Sequence, residues 1–130
     1  MAFHLHKAHE FISLKCDNAT FLATLDGNRC RTEIRLHKEI SEVLRFPEHY
    51  GKNFDAMYDC LTDLEWLGVD AVYLLIIHPA LICSDEENHT EGLFQDVMRQ
   101  VLEDYRHHPI HFHLISEKSF LNLIEPHFDK

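Results

Sequence analysis

The chain of 130 residues carries 12 Lys and Arg against 22 Asp and Glu, a net charge of −10, with 45% apolar residues and four Cys. That is enough chain to bury a core without covalent staples, too apolar for bulk disorder, and without an apolar run near the roughly 20 residues of a membrane span. The acidic balance speaks against nucleic acid as a direct partner, because phosphate binding draws on Lys and Arg; a basic protein is the electrostatic complement.

The opening stretch, MAFHLHKAHEF, has no basic segment followed by an unbroken apolar one, so no export signal is expected and the chain is expected in the cytoplasm. Residues 10–16 can add an N-terminal strand. FLATL at 21–25 reads as a strand closed by Asp26-Gly27-Asn28, a turn signal. Thr32 is placed to cap a helix reaching about Arg45, with Leu36, Ile40, Val43 and Leu44 at helical spacing. Phe46-Pro47 stops it. After a loop with Gly51, Asn53 is a good cap for a helix from Phe54 to about Leu64. AVYLLII at 71–77 reads as a strand buried on both faces.

Residues 78–90 read as an acidic, solvated loop. An amphipathic helix over 93–106 follows, with Phe94, Val97, Met98, Val101, Leu102 and Tyr105 on one side. PIHFHLI at 109–115 reads as a strand and 119–124 as a short final helix. Strands separated by helices imply parallel pairing through crossovers. The expected fold is α/β: a small, mainly parallel sheet of three strands, with room for a fourth from the N-terminus, packed by helices. No internal repeat divides the chain, which reads as one domain over 1–130. Cys16, Cys30, Cys60 and Cys83 have neither CxxC nor zinc-like spacing, so they read as reduced thiols, with Cys60 in the core.

The charge is not spread evenly. Residues 48–70 hold six acids against Lys52, and residues 85–96 hold five acids with no base, so these two segments account for the whole −10. In the first of them, at about 100° per residue with Asp55 at zero, Asp59 falls near 40° and Asp63 near 80°. Phe54, Met57, Cys60, Leu61 and Leu64 fall between about 140° and 260°, and Tyr58 near 300° at the edge of the acids. Many acidic helix faces are simply solvated, and Asp55 in the first turn is favoured by the helix dipole. The other two acids fit that account less well. Asp55→Asp59 and Asp59→Asp63 are like charges at i,i+4, each costing about 0.2–0.5 kcal/mol, and the helix itself carries no Lys or Arg. Such a stripe is easier to understand if its counter-charge arrives on another molecule.

The segment FPEHYGKNFDAMYDCLT, Phe46 to Thr62, resembles the signature of the barstar family: Leu or Phe-Pro-Glu, an aromatic pair, Gly-x-Asn, an apolar residue, Asp-Ala, then Trp or Tyr-Asp-Cys-Leu-Thr. The likeness covers about 20–116, leaving 1–19 and 117–130 as extensions and 78–90 without a good counterpart. It implies a cytoplasmic immunity protein, or antitoxin, that blocks a basic extracellular-type ribonuclease of the barnase type, one to one, with the helix after Asn53 in the active site. By the same resemblance Asp59 takes the place of substrate phosphate and Asp55 pairs with a basic residue at the cleft edge. His49 stands where the family commonly has Tyr, and Tyr58 where it commonly has Trp. A further contact acid aligns near Glu103, or Asp104 with a one-residue shift. The partner-binding set is therefore Asp55, Asp59, Tyr58, His49, Asp63 and Glu103. Asp63-Leu64 replaces the prototype's Gly-Trp, so that aromatic contact is lost unless Trp66 supplies it.

Asp55, Asp59 and Glu65 could instead serve as general acid and base or as metal ligands, but no HExxH, P-loop, GxSxG or GxGxxG accompanies them. No enzyme activity, cofactor or metal is therefore expected. His4, His6 and His9, and His107, His108, His111 and His113, have no dedicated ligand spacing and read as surface or satisfied histidines. The competing functional reading is an interaction module of the same fold for some other basic protein.

Overall fold

The computed structural model describes residues 2–4 and 20–124. The strand expected over 10–16, Cys16, and His6 and His9 lie outside the described residues. In chain order the elements are β1 (Ala2–His4), β2 (Thr20–Asp26), α1 (Glu33–Val43), α2 (Phe54–Leu61), β3 (Ala71–Ile77), α3 (Thr90–Asp104), β4 (His111–Ile115) and α4 (Lys118–Ile124). The core of the sheet is the parallel set β2, β3 and β4, and β1 adds a parallel edge strand beside β4, giving the order β1-β4-β3-β2. This is the α/β architecture that the alternation of elements implied.

The pairing register places Ala23 beside Leu74 and Leu74 beside Leu114. One face of the sheet thus presents Ala23, Leu25, Val72, Leu74, Ile76, Phe112 and Leu114, and each of the helices α1 to α4 contributes to the same buried cluster. The opposite face carries a second, smaller cluster in which Leu75 and Ile115 are buried beside Leu22, Tyr73 and Ile77. β3 therefore buries side chains on both faces, which is why it reads as an unbroken apolar run. At the end of β2 the chain turns at Gly27. A Cβ there would lie 1.9 Å from the His78 carbonyl oxygen, so only glycine lets this turn approach the loop after β3.

Helix ends follow local chemistry. The Thr32 side chain accepts from the Arg35 amide at 3.2 Å and opens α1. Arg45, in left-handed conformation at φ 56°, closes it, with Phe46 N–H donating to Ser41 O at 2.8 Å in a Schellman-type ending. The acidic loop after β3 is tied down in part, against the expectation of a wholly solvated one. Glu86 accepts from the Glu33 backbone N–H at 3.0 Å, where the first turn of α1 has an unpaired donor. Asp85 lies 4.0 Å from Arg31. Glu86 and Asp85 thus meet the start of α1, a long-range contact that composition does not show.

Candidate functional site: an acidic helix face

α2 begins where the Asn53 side chain accepts from the Ala56 amide at 2.7 Å. Met57 and Leu61 turn into the core while Asp55 and Asp59 are exposed. The helix is one turn shorter than the sequence pattern suggests. Thr62 closes it, and Leu64, fully buried, adopts a left-handed conformation at φ 52°. After this reversal Trp66 reaches the end of α1, where its indole N–H donates to the Leu44 carbonyl. Asp63 consequently sits in the closing turn, exposed, with its carboxylate accepting from the Glu65 amide at 3.3 Å. It is not a third member of a helical row.

Long-range contacts hold the C-terminal end of α2. The buried Tyr105 hydroxyl donates to the Leu61 carbonyl at 2.6 Å. The His108 ring donates from Nε2 to the Thr62 carbonyl at 3.1 Å while its Nδ1 accepts from the Ile110 amide at 3.0 Å. These two side chains satisfy carbonyls that the end of a helix leaves without partners. Burial pushes the Tyr105 hydroxyl's pKa up, with the Asp63 charge adding to the shift, so it stays a donor.

The residues before α2 are anchored as well. Tyr50, buried, donates its hydroxyl to His37 Nδ1 at 2.6 Å, and His37 Nε2 donates to Glu33 at 3.2 Å. The pKa of His37 is lowered, chiefly by burial and against the raising influence of Glu33, which favours this neutral arrangement. Phe46 packs edge-on against Tyr50 at 4.9 Å. His49, between them in sequence, is exposed. Anchored neighbours on both sides present it outward.

Among the described residues Asp55, Asp59 and Asp63 make no ion pair. The Cys60 thiol is pushed up in pKa by burial first, then by the charges of Asp59 and Asp63. It is half-buried rather than fully in the core. Tyr58, half-buried, donates its hydroxyl to Asp104 at the end of α3, and Gln100 reaches the other Asp104 oxygen at 3.4 Å. Glu103 instead pairs with Arg106 at 2.6 Å. Of the two acids left open by alignment, Asp104 is the one joined to α2, and Glu103 is neutralised within its own helix end. Trp66, half-buried, is joined to the body of the protein: its indole N–H donates to the Leu44 carbonyl at 3.0 Å, and its ring meets Phe46 edge-on at 6.0 Å.

A cavity of about 620 Å³ opens beside α1, bounded by His37, Lys38 and Lys52 among others, and none of the α2 carboxylates lines it. Among the described residues no group of three or more His, Cys, Asp or Glu side chains is placed to hold a metal ion, and no helix is long and apolar enough to cross a membrane.

Asp55 and Asp59 thus lie on the outward face of a helix whose Met57 and Leu61 are buried, as helical phase predicts. A family model described as "Barstar (barnase inhibitor)" matches residues 20–117. The chain belongs to the Barstar family. It is also 42% identical over 51 residues to a Bacillus subtilis (strain 168) protein named "Putative ribonuclease inhibitor YrdF". That likeness covers 39% of this chain and 54% of the relative, so the chain spans about half the length of the relative it matches. In Barstar-family terms, the matched region runs from the first residue of β2 to just beyond β4 and includes α2, Tyr58 and Asp104.

Proposed function

We propose that the chain inhibits a basic ribonuclease of the barnase type, one to one, by seating the outward face of α2 in the groove where the enzyme holds RNA phosphate. The observation that carries this reading is the pair Asp55 and Asp59, exposed and unpaired among the described residues, on a helix fixed at both ends. Carboxylates at set spacing meet the cations that would otherwise bind phosphate, and a rigid helix loses little freedom when it docks. The net charge of −10 draws a basic enzyme from a distance. Family membership and the name borne by the Bacillus subtilis relative support the same class of activity.

On this reading Asp59 carries the central contact, with Asp55 at one side and His49 and Tyr58 flanking. Asp63 acts at the rim, and Asp104 takes the place that the family alignment offers to Glu103. The chain is then a binding protein and not an enzyme, acts in the cytoplasm, and as an immunity protein or antitoxin protects a cell from the nuclease. The test is an activity titration: ribonuclease turnover falls linearly to zero at one equivalent of this protein. Turnover that persists at tenfold excess across a panel of barnase-type enzymes would overturn the assignment and favour a module for another basic protein.

A further inference from the structure

Asp104 stands out among the acids of this face because a side chain 46 residues away in sequence, Tyr58 of α2, bonds to it. It ends α3, where the helix dipole disfavours a negative charge. The nearby Arg106 is taken by Glu103, and among the described residues Asp104 makes no ion pair. Both of its oxygens nevertheless have donors: the Tyr58 hydroxyl on one and the Gln100 amide on the other, at 3.4 Å.

We propose that Tyr58 is a positioning residue, whose hydroxyl, with Gln100, holds Asp104 in one orientation beside α2 so that a partner's cation meets a carboxylate already in place. The proposal rests on the ribonuclease-inhibitor reading of α2. Three features of the geometry support it. A carboxylate offers about four lone-pair sites, and two donors leave half of them for a partner. An exposed Asp at a helix end otherwise samples several rotamers, and ordering such a side chain on binding reduces affinity. The contact also spans 46 residues of sequence, so it sets the distance between the α2 acids and Asp104. The Tyr58 phenol has its pKa raised, first by the bond to Asp104, then by slight burial and the charges of Asp104 and Asp59. It therefore remains a donor around neutral pH.

The test combines calorimetric titration of a barnase-type ribonuclease with an NMR titration of the Tyr58 ring in the free protein. Tyr58→Phe is expected to weaken binding about threefold to tenfold, the range for one freed side chain. The double variant Tyr58→Phe/Asp104→Ala should bind no more weakly than Asp104→Ala, because the hydroxyl acts through the carboxylate. In the free protein Asp104→Asn should lower the pH at which the Tyr58 ring ionises. Unchanged or tighter binding by Tyr58→Phe, or additive losses in the double variant, would overturn the positioning role. An unmoved Tyr58 ionisation in Asp104→Asn would overturn it with no partner present. If the unaltered protein binds no ribonuclease while the Tyr58 ionisation does move, the inhibitor reading fails and the hydrogen bond survives as an internal contact only.

Discussion

Replacing Tyr105 by Phe removes one oxygen atom and tests whether α2 is held from outside its own sequence. The hydroxyl is the donor seen on the Leu61 carbonyl, at 2.6 Å, and the tyrosine is 1% exposed. The ring stays in place against Phe112, stacked at 5.0 Å, so the variant keeps its packing and loses only the bond. A buried carbonyl left without a partner costs about 1–3 kcal/mol, a large share of the roughly 5–15 kcal/mol that holds a domain folded. With a urea slope of about 2 kcal/mol per molar, a loss of about 2 kcal/mol moves the unfolding midpoint down by about 1 M. Urea denaturation followed by far-UV circular dichroism reads the midpoint directly. Amide exchange at Thr62, Asp63 and Leu64 should rise in parallel, because the end of α2 opens more readily. A midpoint and slope equal to those of the unaltered protein would refute the idea that Tyr105, just after α3, clamps the end of the acidic helix.

Three other outcomes follow from charge. His37 has a folded pKa below its ordinary 6.5, so the unfolded chain binds the proton more readily. Its contribution to stability is present in full above about pH 6.5 and is lost as pH falls through the unfolded pKa towards the folded one. Denaturant midpoints measured between about pH 7.5 and 5 should therefore decline, and His37→Gln should flatten that decline; an equal slope in the variant would refute this. Association with a basic nuclease should slow as salt shortens the Debye length from about 30 Å at 0.01 M to about 10 Å at 0.1 M. It should also slow below neutrality, where protonation of imidazole side chains offsets the net negative charge. Stopped-flow rates that match at high and low pH, at fixed salt, would contradict the last of these.

Most of the architecture is legible in the sequence because its signals are local. β3 lies over the same residues as the apolar run at 71–77, and Thr32 and Asn53 cap the helices that their positions predict. Asp55 and Asp59 face outward because Met57 and Leu61 face inward, a matter of helical phase alone. Features made by residues far apart are not legible in this way. α2 stops at Leu61, where Leu64 takes up left-handed backbone and Tyr105 and His108 take up the freed carbonyls. No three-to-four-residue period records that, which is why the helical pattern runs on through Asp63 in sequence and not in the fold. Neither does sequence separate Glu103 from Asp104, adjacent exposed acids that a one-residue alignment shift exchanges. The partner contacts, Tyr58 for Asp104 and Arg106 for Glu103, separate them. Trp66 is committed to the body of the protein by its bond to Leu44, 22 residues away in sequence.

The central claim is that unpaired carboxylates on a fixed helix take the place of RNA phosphate. Calorimetric titration of a barnase-type ribonuclease with the unaltered protein, Asp55→Ala and Asp59→Ala tests it most directly. In the barnase–barstar complex, the family's own prototype, close charge pairs couple by about 1.5–7 kcal/mol. On that borrowed scale Asp59→Ala should produce the larger loss of affinity and Asp55→Ala a smaller one, with one-to-one stoichiometry throughout. Equal affinity for all three proteins, or a greater loss from Asp55→Ala than from Asp59→Ala, would contradict the account.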